Sequence, residues 1–170
     1  MKKIDITTPY KGLSKFYFEK IIDTIIVEGN LFKKNLNILD YGCGLKFLEN
    51  KLNKKIFNYD IDKNLSEISR WNTRAYDIIV LNHVIMYMNE NEFLNILKKI
   101  KNKNKKCKII IGLGRESILN KFLAYLMLRF DHLKNTKMNY KKQVKLISKN
   151  LKIIQKKNIF FLSEIYFCKF

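Results

Sequence analysis

The stretch Ile38-Leu39-Asp40-Tyr41-Gly42-Cys43-Gly44 decides how the rest of the chain is read. Leu36 to Asp40 has the pattern of a short strand ending in an acid. It runs directly into a turn where two glycines flank one small residue. Glycine permits positive φ and lets a ligand lie against bare backbone. Phe47 to Leu52 follows as a short helix, so helix N-terminal amides face whatever lies over the turn. Outward from this point the pattern alternates. Lys55 to Asp60 reads as a second strand ending in acid. Tyr76 to Leu81 reads as a third, apolar enough to be buried on both faces. Lys108 to Ile111 reads as a fourth. Helical spacing marks Ser14 to Val27, Glu90 to Ile100, Glu116 to Phe130 and Tyr140 to Lys149. Leu151 to Gln155 and Ile165 to Phe170 close the chain as two strands joined by a hairpin-length loop. Strands separated by helices imply βαβ units and a mostly parallel sheet, and the hairpin adds an antiparallel strand to it. The expected fold class is α/β, in a single domain spanning residues 1–170.

The chemistry follows from where the acids fall. Asp60 ends the second strand, sixteen residues after Gly44. In open α/β sheets ligands sit at the carboxyl ends of the strands. A carboxylate placed there accepts hydrogen bonds from both hydroxyls of a ribose. The Gly42–Gly44 turn and Asp60 together describe a nucleoside-binding crevice. A dinucleotide site would carry GxGxxG. The run here is Gly42-Cys43-Gly44-Leu45-Lys46-Phe47, which disfavours NAD or FAD.

ILDYGCG, then YDID, then YDIIVLNHVIMYM resembles the class I S-adenosylmethionine-dependent methyltransferases. The resemblance runs from about Asn37 to Ile111 by motif and to Phe170 by element order. It implies a Rossmann-like three-layer α/β/α sandwich with a reversed last strand, and S-adenosyl-L-methionine as cofactor. In that family the glycine turn holds the methionine part of the cofactor, which falls on Asp40, Gly42 and Gly44 with Tyr41 and Cys43 beside them. The acid after the second strand binds the ribose, which falls on Asp60 next to Ile61. The residues that line the family's active site fall on Asn82 and His83. Two departures stand out. Lys46 occupies the place of the third glycine in DxGxGxG. Only seventeen residues separate Asp60 from Asp77, where a helix and a strand normally fit. Leu65 to Ser69 then reads as a shrunken strand, with Glu67 or Ile68 near the adenine.

Methyl transfer from a sulfonium is an in-line displacement of an already activated donor, so positioning dominates and a base is needed only where the nucleophile must lose a proton. His83 and His132 are the candidate catalytic residues. The alternative for His83 is a strand-end cap, and for His132 an ordinary loop histidine. Tyr87, Arg115 and His132 are the candidate acceptor contacts. Tyr87 lies between two methionines, which also suits packing. Arg115 follows Gly112-Leu113-Gly114, a second glycine pair expected just past the fourth strand, and would clamp an anionic acceptor. Trp71 reads as packing over the cofactor region or the core. No metal site is expected, since the three cysteines are far apart and make no ligand spacing. The free thiols point to a reducing compartment.

The 170 residues carry 34 basic and 15 acidic side chains, a net charge of +19. Such a balance suits nucleic acid or an anionic membrane. Thirty of the basic residues are Lys and only four are Arg, the better residue for bidentate phosphate recognition. Lys, Asn, Ile, Tyr and Phe, all abundant here, are also the amino acids of A/T-rich codons. The opening MKKIDITTPYKG has no apolar run behind its charged start, and Phe122 to Leu128 is too short to cross a bilayer. A cytoplasmic enzyme is expected, with membrane-surface contact through 119–130 as one further reading of that apolar stretch. The leading function is methyl transfer to a small-molecule or glycan/lipid-linked acceptor. The alternative is a non-catalytic module of the same fold that binds RNA, DNA or anionic lipid through its lysines.

Overall fold

The alternation of apolar runs becomes a six-stranded sheet in the computed structural model, which describes residues 12–115 and 136–170. Helix α1 spans Gly12–Gly29, β1 Ile38–Tyr41, α2 Phe47–Leu52, β2 Phe57–Tyr59 and β3 Ile78–Asn82. Helix α3 spans Glu90–Lys103 and β4 Lys108–Gly114. Beyond residue 135 come α4, Tyr140–Asn150, then β5, Lys152–Ile159, and β6, Ser163–Lys169. The strand order is β2-β1-β3-β4-β6-β5. The first four strands in that order run parallel, and β6 lies antiparallel between β4 and β5. This is the expected mostly parallel sheet with a reversed closing strand.

Each element has a local cause. In β3, Ile78, Ile79, Val80 and Leu81 are at most 1% exposed, because both faces of the central strands are covered. One face packs Ile21, Ile25 and Ile26 of α1 and Leu48 of α2 against Ile38, Ile78 and Ile110. The other packs Phe93, Leu97 and Ile100 of α3 and Leu146 and Ile147 of α4 against Leu39, Ile79, Ile109 and Tyr166. Burying each such side chain contributes about 1.5–3 kcal/mol. Helix α3 begins at a reciprocal cap: the Glu92 amide donates to the Asn89 side chain at 2.9 Å, and the Asn89 amide donates to the Glu92 carboxylate at 2.6 Å.

Three expectations need correction. Leu65 to Ser69 forms no strand. Leu65 and Ser66 turn back on Asp62, and the segment between β2 and β3 has only one 3₁₀ turn, Trp71–Thr73. With so few residues there, Trp71 itself fills the core, 8% exposed and edge-on to Tyr41 at 5.4 Å. The Gly112–Gly114 pair lies inside β4 rather than after it. Antiparallel pairing of Gly112 with Ile165 and Gly114 with Ser163 carries the strand three residues further. The closing hairpin is also longer and tighter than its apolar pattern shows, turning over Phe160 and Phe161 with the Leu162 amide donating to the Ile159 carbonyl at 2.8 Å. The region 116–130, read as a helix, lies outside the described residues, as does His132. No helix among the described residues is long and apolar enough to cross a membrane.

Candidate functional site

The glycine turn sits where β1 and β2 end together. The amides of Gly42 and Cys43 both donate to the Tyr59 carbonyl, at 2.7 and 3.1 Å, which folds the turn over the end of β2. Gly42 has φ +81° and Gly44 +48°, so both take the left-handed backbone that glycine adopts without strain. Their free faces differ. A Cβ on Gly42 would lie 2.5 Å from Val84 Cγ2, so that glycine admits a neighbouring side chain. A Cβ on Gly44 would meet nothing within 4 Å, so that glycine presents open backbone. Lys46, in the position of the third glycine, takes φ +58° and keeps the left-handed geometry. Its ammonium lies 2.7 Å from Glu67.

Asp60 faces this turn. Its carboxylate accepts from the Gly44 amide at 3.0 Å and from the Asp62 amide at 3.0 Å. Each oxygen retains a second lone pair for a ligand hydroxyl. Asp40 is 5% exposed, and burial, with the nearby carboxylates of Asp60 and Glu49, pushes it up to about 7. Burial likewise pushes the Cys43 thiol up to about 12, which removes it from thiolate chemistry. Tyr41 packs against Tyr59 at 4.9 Å, and burial raises its hydroxyl to about 12. Ile61 is 91% exposed. Glu67 is held by Lys46, Lys55 and Asn58, and those hydrogen bonds draw its carboxyl down to about 2. It braces the short loop after β2 against the turn.

The other candidates gather past the ends of β3 and β4. Asn82 Oδ1 is buried without a hydrogen-bond partner, 2.2 Å from where a Cβ on Gly112 would stand. Only glycine leaves that notch. His83 takes φ +57°, which turns its ring over Gly114 and toward β6. There its Nε2 lies 3.3 Å from Ser163 Oγ, and Ser163 also hydrogen-bonds the Tyr17 hydroxyl. Tyr87 ends a 3₁₀ turn, Ile85–Tyr87, and is 36% exposed. Arg115 Nε is 3.5 Å from Glu164, a carboxylate only 2% exposed. The hydroxyls of Tyr140 and Tyr166 donate to Glu164, and Lys156 lies 2.9 Å from it. Burial opposes the charge on Glu164, but these partners outweigh it and hold the carboxyl below its ordinary value. Sequence reasoning missed Tyr17, Ser163 and Glu164. The one available signal was a polar Ser-Glu pair opening an otherwise apolar strand.

No family model matches the chain. A curated protein described as probable polyketide synthase 6, from Dictyostelium discoideum, is 26% identical over 149 residues. That match takes in 75% of this chain but only 5% of the much longer synthase. Among solved structures, the chain is similar to the magnesium protoporphyrin IX methyltransferase ChlM of Synechocystis PCC 6803 with bound SAM. The TM-score is 0.63 at 12% identity, covering 97% of this chain and 88% of ChlM. The N-methyltransferase NodS of Bradyrhizobium japonicum WM9 aligns with TM-score 0.62 at 11% identity, over 90% and 96% of the two chains. The 16S rRNA methylase ArmA aligns with TM-score 0.60 at 18% identity, over 92% and 86%. These likenesses, joined to the strand order and the glycine turn, give this chain the fold of the class I S-adenosylmethionine-dependent methyltransferases.

Proposed function

We propose that the protein is an S-adenosylmethionine-dependent methyltransferase acting on a small-molecule acceptor. The observation that carries this reading is the pairing of Gly44, whose backbone face is open, with an Asp60 carboxylate bonded to its amide and keeping lone pairs for a ribose. Asp60 would hold the hydroxyl-rich end of the cofactor, and Asp40 the end bearing its ammonium. The bound cofactor supplies a methyl group on a positively charged sulfur. The chain's own part is to fix that group and the acceptor in line and to shield both from water. His83, past the end of β3 and hydrogen-bonded to Ser163, would take a proton from an acceptor that must lose one. The lysine surface suits a polyanion as well, and the RNA-modifying likeness of ArmA leaves that as the competing acceptor class.

Calorimetric titration with S-adenosylhomocysteine tests the reading. Saturable binding is expected, and Asp60→Ala should weaken it about tenfold or more, the loss of charge-assisted bonds worth roughly 1.5–3 kcal/mol. A folded protein that takes up no S-adenosylhomocysteine at millimolar concentration would sink the proposal. Unchanged affinity in Asp60→Ala would sink the ribose assignment.

A further inference from the structure

The hairpin between β5 and β6 turns over two phenylalanines, Phe160 at φ +49° and Phe161 at φ +58°. Left-handed backbone at two successive turn positions is a geometry that Asn-Gly adopts readily and bulky residues resist. Burial does not account for it, since Phe160 is 46% and Phe161 75% exposed. Phe16 of α1, 60% exposed, lies beside Phe160 with ring centroids 5.8 Å apart. Strain retained at so exposed a turn, offset only by one ring pair, points to a ligand.

The same corner has a polar floor. Ser163, two residues past Phe161, is fully buried and hydrogen-bonds Tyr17 and His83 at once. Tyr17 stacks edge-on with Phe18 at 5.1 Å, and Phe18 with His83 at 6.2 Å. Exposed aromatic rings thus continue into a hydroxyl and an imidazole, both half-buried and pinned from behind. Tyr17 and His83 come from α1 and from the end of β3, so the patch lies at the same carboxyl edge of the sheet as the glycine turn.

We infer that Phe16, Phe160 and Phe161 with the Tyr17–Ser163–His83 chain form the acceptor site, and that the acceptor is a small apolar molecule carrying a hydroxyl or phenol. The rings take its apolar body, and the polar chain takes its hydroxyl. The proposal deepens the methyltransferase reading and rests on it for the word acceptor. Among the described residues no cation lies over these three rings, and the polar chain ends in groups that both donate and accept, which matches a neutral hydroxyl.

2-Naphthol is the probe, and naphthalene its hydroxyl-free control, each titrated by fluorescence into the protein with and without saturating S-adenosylhomocysteine. Saturable 2-naphthol binding is expected. Phe16→Ser and Phe161→Ser should each weaken it at least fivefold while leaving S-adenosylhomocysteine affinity unchanged, and both exposed positions tolerate the change in folding. Ser163→Ala should weaken 2-naphthol at least threefold and leave naphthalene as it was. No saturable 2-naphthol binding, equal binding by the Phe variants, or saturation by methyl glucoside in its place would each overturn the inference. If the folded protein binds 2-naphthol in this way but takes no S-adenosylhomocysteine, the apolar site stands and the methyltransferase reading falls.

Discussion

At the scale of single residues, the two turn glycines have different jobs, and substitution separates them. Gly42 needs both its positive φ and its missing Cβ, because Val84 occupies the adjoining space at 2.5 Å. Gly42→Ala should therefore cost about 2–4 kcal/mol of stability, from strain and overlap together. Gly44 has the positive φ and open space, so Gly44→Ala should cost only about 1 kcal/mol. The new methyl would stand on the ligand face, and S-adenosylhomocysteine affinity should fall at least tenfold. Urea denaturation and calorimetry on the two variants check the contrast. Equal loss of affinity without any difference in stability would contradict it. Lys46 shows the same economy: it keeps the glycine conformation and directs its ammonium to Glu67, so the missing third glycine changes the chemistry of the rim and leaves the path of the turn intact.

Among the elements, the β5–β6 hairpin is the least consistent with local preference. Two left-handed phenylalanines cost about 1–2 kcal/mol each, against about 0.5–1.5 kcal/mol returned by the Phe16–Phe160 ring pair. Replacing Phe160-Phe161 with Asn-Gly should then raise stability by about 1 kcal/mol, seen as a higher urea midpoint with an unchanged slope, while 2-naphthol binding disappears. A lower midpoint would show that the rings hold the hairpin together after all. Helix α3, by contrast, has an Asn89–Glu92 cap, acids in its first turn and lysines in its last, each in agreement with its neighbours. The difference between a consistent helix and a strained hairpin marks where the molecule departs from folding convenience.

For the molecule as a whole, one buried acid links stability to pH. Asp40 is raised to about 7 in the fold, above the ordinary carboxyl value it has when unfolded. Between about pH 4 and pH 7 the folded state holds a proton that the unfolded state has released, so stability falls as pH rises through this window and levels off above it. Asp40→Asn should remove that fall and make the protein more stable than the parent at pH 8, by an amount on the order of a few kcal/mol. Thermal melts from pH 4.5 to 8 check it, and parallel curves for the two proteins would refute it. The element order and the antiparallel close were legible in the sequence, because apolar runs bounded by polar turns report burial directly. So were the residues of the glycine turn, since a strand, alternating glycines and a spaced acid are all local signals. Asn82, His83 and Arg115 could be named but not aimed: the sequence does not show that Asn82 fills a notch in Gly112, that His83 turns to Ser163, or that Arg115 pairs with Glu164. Sequence alone determined the alternation of strands and helices and the left-handed glycine turn, since both follow from the chain's immediate neighbours. Only the tertiary structure decided that residues 17, 83 and 163 meet and that Val84 closes over Gly42, because contacts between distant segments depend on the register of β4 with β6 and on where α1 crosses the sheet.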